Sequence, residues 1–350
     1  MFFYVFLVFI IALLAQIFSS LNIHNKEKKF LIISWALLFF VSAFRAPSVG
    51  VDTSTNLMFY EDFVFTRSSI YEEGEIGLHL IYIILDFFNA SPQWLLISTS
   101  FITITLIFMS IYKMSSNVYA SVLLFVILYY FAQSLNTARQ FISIALGLYS
   151  MHFIFDKKPI KFLLTCILAY IFHNASAILF PLVIFSIIKI NTRVVFLITI
   201  ASVLFLYSAF FITEAFLLIL YRYMNWLEDL GSEYRALLPI IKHSCFIALG
   251  TYILFFKKNY NEIFLIKYTL IIIGILPLLL IYMGYSPIFQ RVSIYFTVIL
   301  IIFIPDCLKY ITNKFARTNL YLIIFIFALT IYIYYIYTDF IRITPYSLVF

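Results

Sequence analysis

Phe44-Arg45-Ala46-Pro47-Ser48-Val49-Gly50-Val51-Asp52-Thr53 is the point at which a nearly unbroken run of apolar sequence first gives way to polar sequence. Upstream lie two apolar segments, residues 2–21 and 30–44. Downstream, polar sequence continues to Glu75 and holds Arg45, Asp52, Glu61, Asp62, Arg67, Glu72, Glu73 and Glu75. Elsewhere charge is scarce: 11% of the 350 residues are charged, whereas 64% are hydrophobic and 21% aromatic. Soluble domains carry about 25% charged residues, so this composition excludes a soluble globule. Apolar segments of about 18 residues or more recur along the chain, which reads as an all-α, polytopic integral membrane bundle. A transmembrane barrel would instead show alternating segments of about 10 residues. Residues 1–350 read as a single transmembrane domain with outer loops at 45–75 and 214–235. The apolar start has no basic leader and no small-residue cleavage site, and is expected to stay as the first helix. The net charge of +7 reflects basic cytoplasmic loops, not a nucleic-acid partner. Cys166, Cys245 and Cys307 stand singly, without metal-ligand spacing.

Lysine and arginine in short loops favour the cytoplasm, which orients the segments. Lys26, Lys28 and Lys29 put the first loop inside, so residues 30–44 deliver Arg45 and the polar stretch outside. Residues 75–88 would rise only about 20 Å as a helix, short of the ~30 Å hydrocarbon core. A short re-entrant helix is therefore expected after Glu75. Residues 94–112 then run inward to Lys113, 118–132 outward to a loop at 133–140, and 141–155 inward to Asp156, Lys157, Lys158 and Lys161. Residues 162–188 have basic residues at both ends, which predicts a hairpin broken near His173 with its tip outward. Segments 194–212, 236–256, 264–283, 292–308 and 320–337 follow in alternation. The expected total is about 12 crossings, the hairpin counting as two, with both termini outside.

On this topology Arg45, Asp52, Arg139, His173, Arg222 and Arg291 gather at the outer face, against the positive-inside bias. A charge at membrane depth costs about 2.5–3.5 kcal/mol on insertion scales and usually marks a pathway or a site. The planar guanidinium binds phosphate through two parallel hydrogen bonds, so an arginine cluster suits a pyrophosphate. Blander readings exist for each residue alone. An arginine at a helix end snorkels to headgroups, a lone histidine satisfies a carbonyl, and Gly50 and Asp52 serve a turn. The shared side is what points to a site. No Gly-rich phosphate loop, metal-spaced ligand set or Ser-His-Asp arrangement is visible. No metal and no cofactor is expected.

Phe44-Arg45…Val49-Gly50-Val51-Asp52-Thr53, Glu75-Ile76-Gly77, Asn136…Arg139-Gln140, Phe172-His173…Ala177, Gln290-Arg291 and Pro345-Tyr346 occur in this order. With them the chain resembles, over nearly its whole length, the EpsG family of Wzy-type polysaccharide polymerases. It departs from that family in placing Asn56 and Leu57 where an aromatic residue is usual, with Phe59 and Tyr60 slightly later. The resemblance implies joining of oligosaccharide repeat units carried on undecaprenyl pyrophosphate, at the outer face of a bacterial cytoplasmic (inner) membrane, for O-antigen, capsule or exopolysaccharide. An acceptor hydroxyl would attack the anomeric carbon of the growing chain, and the lipid pyrophosphate would leave without a metal. On that footing Arg139 and Arg291 are expected to bind the pyrophosphate. His173 would activate the acceptor hydroxyl or orient phosphate. Arg45 and Asp52 would order the covering loop by pairing with each other, while Glu75, Gln140, Arg222 and Gln290 contact substrate. The implied partners are the lipid-linked oligosaccharide as donor and acceptor, membrane lipid, and a chain-length regulator and flippase of the same pathway. An O-antigen ligase would use the same arginines. A flippase would show charges along a path through both leaflets, and an acyltransferase using His173 would show polar residues on the inner face.

Overall fold

The computed structural model describes residues 1–66, 76–204, 232–257, 260–282 and 289–349. The helices are α1 (Phe2–Ser20), α2 (Lys26–Ala43), α3 (Val51–Thr66), α4 (Ile76–Phe87), α5 (Gln93–Met114), α6 (Val118–Ile127), α7 (Tyr130–Asn136), α8 (Ala138–Phe155) and α9 (Pro159–Phe172). A 3-10 helix (Asn174–Val183) runs into the single turn α10 (Ile184–Ile187), and α11 spans Thr192–Leu204. Then come α12 (Ser232–Phe256), α13 (Glu262–Tyr282), α14 (Phe289–Thr297), α15 (Leu300–Lys309) and α16 (Lys314–Thr338). Among the described residues there is no strand, only an isolated antiparallel bridge between Arg45 and Leu348.

Six helical stretches are long and apolar enough to cross a membrane, or seven if α6 and α7, bent by 54°, count as one. This is a helical membrane protein. The expected twelve crossings are not reached by such spans. Ile76–Phe87, Pro159–Phe172, Asn174–Ile187 and Thr192–Leu204 are apolar but each has only 10–17 residues. At 1.5 Å per residue such helices fall short of the ~30 Å core. Burial orders the bundle: Phe289–Lys309 is 83% buried and Glu262–Tyr282 78%, against 22% for Phe2–Ser20 and 28% for Lys314–Thr338. The α13–α15 region is thus the protein-enclosed centre, and α1 and α16 turn apolar faces to lipid.

Each end of the bundle is tied by its own polar contacts. At one end, Lys157 donates to the carbonyls of Phe185 and Ile188 and pairs with Glu262 at 2.7 Å. There too Lys267, only 2% exposed, pairs with Asp306 at 2.5 Å and donates to the Met114 carbonyl. At the other end, residues 341–349 are stitched to 44–51. Val349 N–H donates to the Phe44 carbonyl, Ala46 N–H to Ser347, Gly50 N–H to Arg342 and Val51 N–H to Ile341. The hydroxyls of Tyr4 and Tyr346 donate to the carbonyls of Ile343 and Val41.

Several expected loops are helical. The polar stretch from Arg45 to Glu75 contains α3, because Thr53, Asn56, Leu57, Tyr60 and Phe63 recur at helical spacing and are its buried positions. The loop expected at 133–140 is the end of α7 and the start of α8, separated by Thr137 alone. The helix bends earlier instead, at Tyr129, whose φ of 75° is left-handed. Of the second outer loop, residues 214–231 lie outside the described residues, and α12 begins at Ser232.

The short apolar elements follow the bundle's ends. Ser143 Oγ donates to the Ala169 carbonyl, which sets α8 and α9 antiparallel and brings Phe172 level with the start of α8. His173 is extended (φ −159°, ψ 120°), breaking the helix before the 3-10 segment returns toward Lys157. Gly77 opens α4 against the Phe172 ring, 2.7 Å from where a Cβ would stand. Past its other end, Ala90 accepts from Tyr60 Oη, and Gln93 donates to Ala43. Both ends of α4 therefore lie at the stitched end of the bundle.

Truncation after Phe340 removes the segment that is stitched to 44–51. The truncated chain is expected to insert normally, but after detergent extraction to be cut by trypsin at Arg45, which the full chain protects.

Candidate anion-binding site

Two helix starts carry the site. α8 opens at Ala138 with no side-chain cap, and its first turn holds Arg139 and Gln140. α14 opens at Phe289, and its first turn holds Gln290 and Arg291. The first N–H groups of a helix lack intrahelical partners, and the aligned peptide dipoles make that end positive, so each start favours an anion. Gln140 joins the two: its Nε2 donates to the Arg291 carbonyl at 2.9 Å. One turn deeper, Tyr295 Oη donates to Ser143 Oγ at 3.1 Å. On the far side of α14, Ser293 Oγ donates to the Gly274 carbonyl at 2.6 Å.

A third helix start brings the carboxylate. Gly50 has φ +98°, and a Cβ there would lie 2.8 Å from Thr53 Oγ1 and 3.1 Å from the Leu135 carbonyl oxygen. This turn needs glycine both for its backbone and for its close approach to the α7–α8 junction. Across it, Asn136 Oδ1 accepts the Asp52 N–H at 2.9 Å, and Thr53 Oγ1 donates to the carbonyls of Val49 (2.7 Å) and Leu135 (3.1 Å). Partial burial pushes the Asp52 carboxyl above its ordinary range, while the positive charges of Arg291 and then Arg139 pull the other way. Both guanidinium groups therefore act on this one carboxylate. Arg139 is half-buried and Arg291 exposed. Among the described residues, two guanidinium groups and three helix starts come to this end of the bundle, a combination that suits an anion.

The other expected site residues fall as follows. His173 is half-buried, one turn beyond Ala169, and so stands at the height of Arg139, one turn before Ser143. Gln140 is buried and committed to Arg291, and thus positions that arginine without facing an open site. Gln290 lines a cavity of about 370 Å³. Arg45 does not pair with Asp52. It is 1% exposed, and its guanidinium donates to the Ser42 carbonyl and to Ser100 Oγ, beside Tyr4 and Tyr346. Burial pulls it down to about 10, so it stays protonated at neutral pH. The short polar turn at 46–50 sends the two side chains to different neighbours. Glu75 and Arg222 lie outside the described residues. Sequence reasoning did not single out Lys242 and His243, although a lysine inside the apolar run 237–256 was a visible signal. Among the described residues no His, Cys, Asp and Glu side chains form a metal-holding group.

Gly50→Ala is expected to cost about 1–3 kcal/mol through its left-handed backbone alone. The thermal unfolding midpoint in detergent should fall, while Ser48→Ala leaves it unchanged.

The sequence pattern of the EpsG family matches residues 28–348, which include Asp52, Asn136, Arg139 and Arg291. No curated protein and no solved structure matches the chain.

Proposed function

The chain belongs to the EpsG family, and from that premise we propose that it polymerises oligosaccharide repeat units carried on undecaprenyl pyrophosphate, at the outer face of a bacterial inner membrane. Family membership suggests a polysaccharide polymerase role; the paired helix starts of Arg139 and Arg291, facing Asp52, are the observation that supports the finer reading. The orientation rests on the basic loops, which put the Lys157 end of the bundle inside and the arginine end outside. The short elements α9 and 174–187 bury one face on the bundle and turn Ile160, Leu164, Leu168, Ile184 and Ile187 outward, and on this reading they form a broken pair whose tip at His173 lies at the outer end. On this reading α4 stays at the outer surface.

In the reaction, the pyrophosphate of the growing chain rests on Arg139 and Arg291, against the two helix starts. An acceptor hydroxyl attacks the anomeric carbon, the bond from that carbon to the pyrophosphate oxygen breaks, and charge builds on the leaving group. Fixed guanidinium groups in a site shielded by lipid stabilise that charge as it forms. The hydroxyl proton passes to Asp52, whose burial makes it a stronger base than an ordinary carboxylate. His173, at the same height, orients phosphate. A flippase and a chain-length regulator of the same pathway are the protein partners this role calls for.

Arg139→Ala is expected to cut polymer formation about 100-fold, the usual cost of losing one charge-stabilising donor, with the protein still in the membrane. Arg139→Lys should also be poor, because an ammonium cannot make the paired bonds. Lipid-linked glycans resolved on a gel at single-repeat resolution read both, and a normal ladder in Arg139→Ala would remove the arginine from the mechanism.

Asp52 must be deprotonated to accept the proton, and its affinity for protons is raised. Activity should therefore fall with acidification at a pH above the ordinary carboxylate range. Asp52→Asn should lower turnover about 100-fold while pyrophosphate still binds. An acid limb unchanged in residual Asp52→Asn activity would assign it to another group.

A further inference from the structure

Beside the arginines, a cavity of about 370 Å³ opens between α6–α7, α12, α14 and α16. It adjoins the site on two sides. Gln290 on its wall precedes Arg291, and Ile341 on its wall accepts the Val51 N–H next to Asp52. Three of its polar groups keep bonding capacity that the fold does not use. Lys242 is 6% exposed, lies over the Tyr130 ring with Nζ 5.4 Å from the centroid, and meets no carboxylate among the described residues. His243, 3% exposed, donates from Nδ1 to the Pro239 carbonyl at 2.5 Å, which leaves Nε2 as an acceptor with no partner. The Tyr129 hydroxyl is likewise buried and without a partner. Asp339, at the end of α16, is committed to the amides of Ile343 (2.8 Å) and Thr344 (3.0 Å).

A buried cation, an unfilled acceptor and an unfilled hydroxyl on aromatic walls form a mixed set that no apolar lipid tail would satisfy. A charge this buried is retained where a counter-charge arrives. Aromatic faces suit the apolar faces of sugar rings, and the sparse polar groups fix their orientation. We propose that this cavity is a saccharide subsite for a sugar that carries an oxyanion, the oxyanion on Lys242 and ring hydroxyls on His243 Nε2 and Tyr129 Oη. Its place in catalysis rests on the polymerase reading: it holds the sugar next to the bond being made. The oxyanion comes either from an acidic substituent of the repeat unit or from the lipid pyrophosphate, since both present the same chemistry to an ammonium.

The test is calorimetric titration of the full chain in lipid nanodiscs with methyl β-glucuronide, methyl β-glucoside and inorganic pyrophosphate. Pyrophosphate is titrated in an Arg139→Ala background, so that the arginines do not mask a second site. Lys242→Met is expected to weaken the oxyanion-bearing probe at least 10-fold, and Lys242→Arg to restore it, which separates lost charge from a misfolded cavity. Lys242-dependent preference for glucuronide over glucoside assigns the oxyanion to an acidic sugar, and Lys242-dependent pyrophosphate binding assigns it to the lipid. Equal binding of all three probes by wild type and Lys242→Met, or no Lys242-dependent binding up to millimolar concentration, would overturn the subsite. Because binding is read without turnover, the subsite and the polymerase reading can fail independently.

Discussion

The hydrogen bond from Gln140 Nε2 to the Arg291 carbonyl ties α14 to the start of α8, and so brings Arg139 and Arg291 to one end of the bundle. Both arginines act on the half-buried Asp52 carboxylate, Arg291 more strongly than Arg139. On the proposed reading, the pyrophosphate binds where these positive charges meet the helix starts.

Everything around the cluster serves to hold Asp52 in reach. α3 starts against the α7–α8 junction only because Gly50 has no side chain, and Asn136 then takes its first amide. The last described residues lie along 44–51 and fix that turn from the other side. Arg45 works beneath them as a strut, joining the end of α2 to Ser100 of α5. At the opposite end, Lys157 with Glu262 and Lys267 with Asp306 neutralise the charges near the basic loops.

The class of protein was legible from apolar length and scarce charge, and the family from short motifs whose order survives in the sequence. Those motifs prove to meet in space: Gly77 packs on Phe172, Asp52 on Asn136, and Gln140 on Arg291. What the sequence concealed had physical causes. In α3, the density of charge from Asp52 to Asp62 masked the helical spacing of Thr53, Leu57, Tyr60 and Phe63. Arg45 bonds to a serine 55 positions away, and no local pattern reports such a contact. Gln140 was legible as a neighbour of Arg139, but not its hydrogen bond to the Arg291 carbonyl 151 positions away. Lys242 was visible as a lone cation, but its meaning depends on Tyr129, Gln290 and His243, which only the fold brings around one cavity. The crossing count was the least legible, because apolar composition does not report where a helix stops, and four apolar helices end within 10–17 residues.

The most direct test of a polymerase at this site is the lipid-linked glycan profile of cells lacking the protein, on a gel that resolves single repeat units. The account requires the ladder to collapse to one repeat on its lipid or core, with restoration by the wild-type chain. Full-length polymer left on the polyprenyl pyrophosphate would contradict it in favour of a ligase. Repeat units trapped on the inner leaflet would contradict it in favour of a flippase.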